Sequence, residues 1–226
     1  MNASCMFSPI LRKKLALGYP FLAQTTAHLF SGNAPERVFA NYLMVLHGLI
    51  RASVPVMKAA AACIQKTHRS GSDDLVLSYL ITHIDEETGH DDWLIDDLAA
   101  LGVERQEVEK YLPSVPVASL VGMQYYWIHH YNPLVVLGYI AAMEGNPPNR
   151  AALDAMRLAN DFPFASMRTL YMHSDADQQH MLALDKVLDQ ICVDTELRDA
   201  ITMNALCTLD YAAAAFLFSA RGVFPL

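Results

Sequence analysis

Two stretches of this chain, HIDEETGH at residues 83–90 and HSDADQQH at residues 173–180, each place a histidine, a carboxylate four residues on, and a second histidine three residues beyond that. At about 100° per helical residue, positions i, i+4 and i+7 fall within about 60° of one another. His83, Glu87 and His90 therefore make one stripe, and His173, Asp177 and His180 another. Two imidazoles and a carboxylate on each of two helices suit a pair of transition-metal ions, because this donor set fits iron, manganese or zinc and a carboxylate can bridge. Taken singly, either stripe is more often the solvated face of an acidic helix: Asp85, Glu86, Asp91 and Asp92, and Asp175 and Gln178, read as ordinary surface residues. A third feature tips the balance. Glu144 is the only acidic residue between Glu109 and Asp154 and stands in VVLGYIAAMEGN, a segment otherwise written for burial. A buried carboxylate without a counter-charge is costly, so it is protonated, caps a backbone group or meets a cation. Two histidine stripes elsewhere favour the cation. The expected ligands are His83, Glu87, His90, Glu144, His173, Asp177 and His180, with the carboxylates of Glu87, Glu144 and Asp177 adjusting coordination during catalysis. Three negative charges against two divalent cations leave a net positive site, suited to dioxygen-derived anions or a substrate carboxylate.

The elements that must position these residues are helices. Apolar residues recur at three- and four-residue intervals almost throughout, with no convincing strict alternation. The pattern predicts helices over Pro9–Leu29, from Pro35 with Glu36 in its first turn and a kink at Pro55, and from an N-cap at Ser72 through Leu101, ended by Gly102. A short amphipathic helix follows around RQEVEKYL. A long segment after Pro113 and Pro116 is kinked or divided at Asn132-Pro133 and ended by Gly145-Asn-Pro-Pro, then come NRAALDAMRLAN, Pro163–Ile191 and Asp194–Ala220. Seven or eight helices without an internal repeat make an all-α bundle, and no linker or composition shift divides residues 1–226, so a single domain is expected.

Composition narrows the function. The chain has 226 residues and a formal net charge of −8, which gives none of the basic footprint that nucleic acid or an anionic membrane requires. Although 53% of residues are hydrophobic, no uninterrupted apolar run approaches the roughly 18 residues of a membrane span. Cys5, Cys63, Cys192 and Cys207 lack CxxC spacing, so neither a disulfide framework nor a thiolate zinc site is indicated, and a reducing cytoplasm suits them. RKKLALGYPFLAQTTA mimics a signal peptide, but its apolar part is short and broken at Gly18-Tyr19-Pro20.

These residues resemble the haem-oxygenase-like dimetal oxidases and oxygenases, which share a fold with haem oxygenase, the thiaminase-II group and the pyrroloquinoline-quinone synthase group. The resemblance spans residues 35–192. It is carried by EETGHDDWLIDDLAALG (Glu86, Glu87, Gly89, His90, Trp93, Asp97, Leu98 and Gly102), by NPLVVLGYIAAMEG ending at Glu144, and by His173, Asp177 and His180. It implies a haem-free site that binds two iron ions, or one manganese and one iron, and activates dioxygen, with Glu87 or Glu86, His90, Glu144, His173, Asp177 and His180 among the ligands. Members usually supply a further glutamate from the preceding helix or an earlier turn. Here no Asp or Glu occurs between Glu36 and Asp73, and the earlier-turn position holds His83, which makes the site richer in histidine.

The function expected is an oxidase or oxygenase acting on a small, largely apolar metabolite such as a fatty or amino acid. The alternative is a metal-independent enzyme or cofactor-binding protein of the thiaminase-II or quinone-synthase kind. The expected partners are the small substrate and dioxygen, with neither nucleic acid nor membrane, and a homodimer is left open. His47 could replace the missing carboxylate, although a lone histidine on an apolar face is more often a core residue. His129 and His130 are expected to support the site from outside or to end a helix, and Tyr125, Tyr126, Trp127 and Tyr131 to pack. Arg51, Lys58 and Arg168 interrupt apolar stretches; each either reaches the surface or holds a substrate carboxylate. Cys63 and Cys207 lie in no nucleophile motif, and there is no GxSxG.

Overall fold

The chain is described here by a computed structural model covering residues 6–29, 35–67, 70–191 and 194–220, without the side chains of 26–29, 35, 175–178 and 220. Ten α-helices and two 3-10 turns occupy the described residues, with no β-strand among them. In chain order the helices are α1 (Phe7–Leu29), α2 (Pro35–Thr67), α3 (Gly71–Glu87), α4 (His90–Ala99), α5 (Arg105–Lys110), α6 (Val115–His130), α7 (Val136–Glu144), α8 (Arg150–Asn160), α9 (Arg168–Ile191) and α10 (Thr195–Ala220). The count exceeds the seven or eight expected from periodicity because two segments are each divided by a turn.

The first division corrects the continuous helix expected from Ser72 to Leu101. The chain leaves helical geometry at Thr88 (φ −66°, ψ 120°), Gly89 takes the left-handed region at φ 94°, and His90 opens α4. A residue without Cβ accepts that conformation at little cost. Asp91 and Asp92 then lie in the first turn of α4, where helix N–H groups favour negative charge. Gly102, at φ 82°, follows the end of α4 as expected. Ser70, not Ser72, precedes the first turn of α3. The second division falls at Asn132-Pro133, where proline cannot donate to a helix. Asn132 Oδ1 accepts from Leu134 N at 3.0 Å, and a 3-10 turn over Pro133–Val135 leads into α7. The carbonyl of Val135 is met by Asn204 Nδ2 at 2.8 Å, and Asn204 also donates to Gln124 Oε1 at 2.9 Å. Pro55 lies inside α2, which continues through it.

Two apolar clusters fill the interior. One joins α1, α2, α3, α6, α7, α9 and α10 through residues such as Leu11, Leu49, Leu80, Leu120, Leu137, Leu188 and Ile201. The other gathers the start of α2, α4, α8 and the start of α9 around Phe39 and Phe162, whose rings stack at 4.4 Å. By length and composition α2 and α10 are apolar enough to cross a membrane, yet 50% and 56% of their most apolar windows are buried in the bundle, as in core helices. Helix α9 is fastened to α1 from below: Arg12 Nε donates to both Asp185 oxygens at 2.9 Å and its Nη2 to the Met181 carbonyl at 3.1 Å.

Helix α7 delivers Glu144 at its last turn and lies directly against α10. A Cβ at Gly138 would collide with the Ile201 carbonyl oxygen and stand 3.0 Å from Ala205 N, both backbone atoms that cannot turn aside. Gly138→Ala is therefore expected to lower stability by about 1–3 kcal/mol, the cost of overpacking, despite the better helix propensity of alanine. Urea unfolding measures this, and an unchanged or raised midpoint would refute the close approach.

Candidate metal centre

Helix α3 ends with His83 and Glu87 on the face turned to α9, and the turn at Thr88–Gly89 brings His90 back beside Glu87. Thr88 Oγ1 donates to the Ile84 carbonyl at 2.6 Å, tying the turn to the helix it leaves. Helix α9 presents His173 and His180 to these residues, and α7 adds Glu144. The result is two sets of donors. His83, Glu87, Glu144 and His180 form one; Glu87, His90 and His173 form the other; within each set the donor atoms lie within 4.8 Å of one another.

Glu87 belongs to both sets and turns one oxygen to each. Its Oε2 lies 3.0 Å from His90 Nδ1, and its Oε1 lies 3.6 Å from His180 Nδ1. Glu144 belongs only to the first, with Oε1 2.7 Å from His83 Nε2 and Oε2 3.6 Å from His180 Nδ1. It meets an imidazole across the bundle and not a backbone group, although it ends α7. His173 Nδ1 donates to the Thr169 carbonyl at 2.9 Å. A carbonyl only accepts, so this bond places the proton on Nδ1 and leaves Nε2 bare. The helical backbone carries Asp177 between His173 and His180, but its side chain lies outside the described residues.

The surroundings are apolar and aromatic. Tyr79 stacks on His83 at 5.3 Å, and Trp93 stacks on His90 at 3.9 Å. Burial works to lower the His83 pKa, but its hydrogen bond to Glu144 and the neighbouring carboxylate charges outweigh this and raise it to about 9. Burial works to raise that of Glu87; the His90 contact and the surrounding histidines hold it below the usual carboxylate range. Glu87 Oε1 and Glu144 Oε2 are buried without a hydrogen-bond partner. Orphaned carboxylate oxygens of this kind, converging with imidazoles and without a lysine or arginine among them, fit transition-metal ions in donor chemistry as well as in spacing.

Other candidates fall elsewhere. His47 is buried on α2 and belongs to neither donor set, and burial lowers its pKa. His129 and His130 are exposed in the last turn of α6, where they end the helix. Glu86, read as a surface residue, is half exposed, yet its Oε2 lies 3.5 Å from His83 Nδ1 and 3.6 Å from His180 Nε2. It also lines a cavity of about 210 Å³ beside the donors, together with His90, Trp93, Met172, His173 and His180. Arg51, Lys58 and Arg168 are not among those lining residues; Arg168 pairs with Asp96 at 3.2 Å on the exposed side.

One supporting residue escaped assignment from the pattern. Asp97 is fully buried on α4, and its Oδ2 accepts from Thr169 N at 2.9 Å, so a carboxylate of one helix satisfies a free N–H at the start of another. Burial raises its pKa against the lowering effect of the Thr169 bonds. Thr169 in turn holds His173 through its carbonyl. The signal available in the sequence was threonine four residues before His173; its partner on α4 required the fold. Asp97→Ala is expected to cost about 1–3 kcal/mol by leaving that N–H unpaired, and to reduce metal at the His90–His173 set more than at the His83–Glu144 set. Asp97→Asn keeps an acceptor and should recover most of both. Thermal unfolding with metal analysis reads the two effects; equal metal loss from both sets would refute the link.

The family description "iron-containing redox enzyme", of haem-oxygenase type, matches residues 40–213. Comparison with curated proteins finds no match. Among solved structures, the chain is similar to a domain of unknown function with a haem-oxygenase-like fold from Shewanella denitrificans OS217, at 21% identity over 95% of this chain and 89% of that one, with a TM-score of 0.76. It is also similar to a TenA homologue from Pseudomonas syringae pv. tomato DC3000, at 16% identity over 96% and 93% and a TM-score of 0.76. A CADD-like protein of unknown function from Nostoc punctiforme PCC 73102 matches at 17% identity over 97% of each chain, with a TM-score of 0.71. At such identities the likeness shows a shared haem-oxygenase-like fold.

Proposed function

This chain belongs to the iron-containing redox enzyme family, and on that premise we propose that it is a non-haem dimetal oxidase or oxygenase, using two irons or one manganese and one iron, that acts on a small, largely apolar metabolite. The observation that carries the reading is Glu87, whose two oxygens face two separate sets of histidine and carboxylate donors. His83, Glu144 and His180 would hold one ion, and His90 and His173 the other, with Glu87 between them; Asp177 is proposed as a further ligand from α9. When bound, such a pair supplies electrons to dioxygen and the oxidising power for hydrogen abstraction or oxygen insertion.

The chain's own residues prepare that chemistry. Thr169 fixes His173 in the tautomer with a bare Nε2. Trp93 covers His90 and, with Met172, gives the cavity soft apolar surface against which a substrate lies while bulk water is kept from the donors. Carboxylates that can bind through one or both oxygens allow the coordination to change without moving the helices.

Protein made in iron-supplemented cells and kept from chelators should carry between about one and two metal ions per chain, the number the two donor sets can hold. Glu87→Ala should deplete both sites, His83→Ala mainly one and His173→Ala mainly the other, as read by elemental analysis and Mössbauer spectra of the iron-loaded variants. Failure to retain metal after reconstitution would sink the reading and return the chain to the metal-independent alternative. Equal loss in all three variants would show that Glu87 is not shared.

A further inference from the structure

The cavity beside the donors contains the means to choose a substrate. Of its six lining residues, His90, His173 and His180 belong to the donor sets, which leaves Glu86, Trp93 and Met172 to meet a ligand. These are a carboxylate, an indole and a thioether. No lysine, arginine, serine, threonine, asparagine or glutamine lines the space among the described residues. Arg168 pairs with Asp96, Arg105 with Asp92 and Arg12 with Asp185, and none of the three lines the cavity.

We propose that the substrate is a small primary amine whose ammonium group is held by Glu86 against the face of Trp93, its apolar remainder lying along Met172. This rests on the cavity being the substrate pocket of the dimetal reading. The charge balance favours the amine. Two divalent ions held by the three carboxylates proposed as ligands would keep a net positive charge, which Glu86, within 3.6 Å of two of the histidines, would cancel. A substrate carboxylate would then face Glu86 with no lysine or arginine lining the cavity to offset the repulsion. An ammonium gains a charge-assisted hydrogen bond from Glu86 and a cation–π contact from the indole. Half exposure places the Glu86 carboxylate where an entering ligand reaches it.

Trp93 reports occupancy of the cavity directly. The chain has two tryptophans, so Trp127→Phe leaves Trp93 as the single indole. That protein, loaded with redox-inert zinc and separately stripped of metal, is titrated with n-hexylamine, 1-hexanol and hexanoic acid while Trp93 emission is followed. In both forms the amine should bind about 10–100-fold tighter than the alcohol, the range expected for a hydrogen bond to a charged group, and the acid weakest. Glu86→Gln should bring the amine to the level of the alcohol and leave the alcohol unchanged. An ammonium sitting among the empty ligands of the stripped protein would be insensitive to Glu86→Gln, so that insensitivity overturns the proposal, as does hexanoic acid binding as tightly as the amine, or no binding at all. Zinc content is measured independently. A chain that binds amine through Glu86 but takes up no metal fails the dimetal reading alone, and one that takes up metal but shows no preference for amine fails this inference alone.

Discussion

A carboxylate removed from water must be met by positive charge or by hydrogen-bond donors, and inside this bundle Glu87 and Glu144 are met by imidazoles. That constraint governs the rest of the architecture. The imidazoles come from α3, α4 and α9, and the second carboxylate from the end of α7, so four helices must hold their places to within a fraction of a hydrogen-bond length. An arginine or lysine would have neutralised the cluster at less structural expense. None is present among the donors, and Glu87 Oε1 and Glu144 Oε2 remain buried without hydrogen-bond partners.

Precision of that kind falls largely to α9, which carries two of the histidines. Near its start, Asp97 receives the Thr169 N–H; beyond His180, Arg12 grips Asp185 and the Met181 carbonyl. Both attachments are polar and directional, whereas apolar packing alone would let a helix slide or rotate by small amounts. Helix α7 is set by a different device, the missing side chain of Gly138, which lets two backbones meet. Four helices thus turn side chains toward one region, and the choice of side chain on each decides what can be held there.

Breaks in helical geometry also shape the donor sets. At Gly89 the backbone turns through a left-handed residue and separates His83 from His90, giving one to each donor set with Glu87 between them. On an unbroken helix the three would lie on one stripe and face one point. The Asn132-Pro133 interruption starts α7 afresh, and its exposed carbonyl is absorbed by Asn204, part of a buried amide network with Gln124. Polar groups freed by a break need such partners when buried.

The sequence by itself determined the all-helical architecture, because apolar periodicity of 3.6 is a local property of the chain, and it singled out the histidine stripes and Glu144, because an ionisable residue in a segment written for burial is conspicuous without any knowledge of its neighbours. His173 and His180 were legible together since one uninterrupted helix carries both. Helix division at Gly89 was legible in principle from the glycine, but the three- and four-residue spacing continues across it and hid the turn. Contacts between elements were decided only by tertiary structure: Glu87 shared between two donor sets, Asp97 capping a helix 72 positions later, Glu86 brought from an apparently solvated face to the cavity, and Arg168 drawn outward to Asp96. Local spacing fixes which residues share a helix face, whereas the partner of that face depends on how helices far apart in the chain pack, and that information is distributed over the whole apolar core.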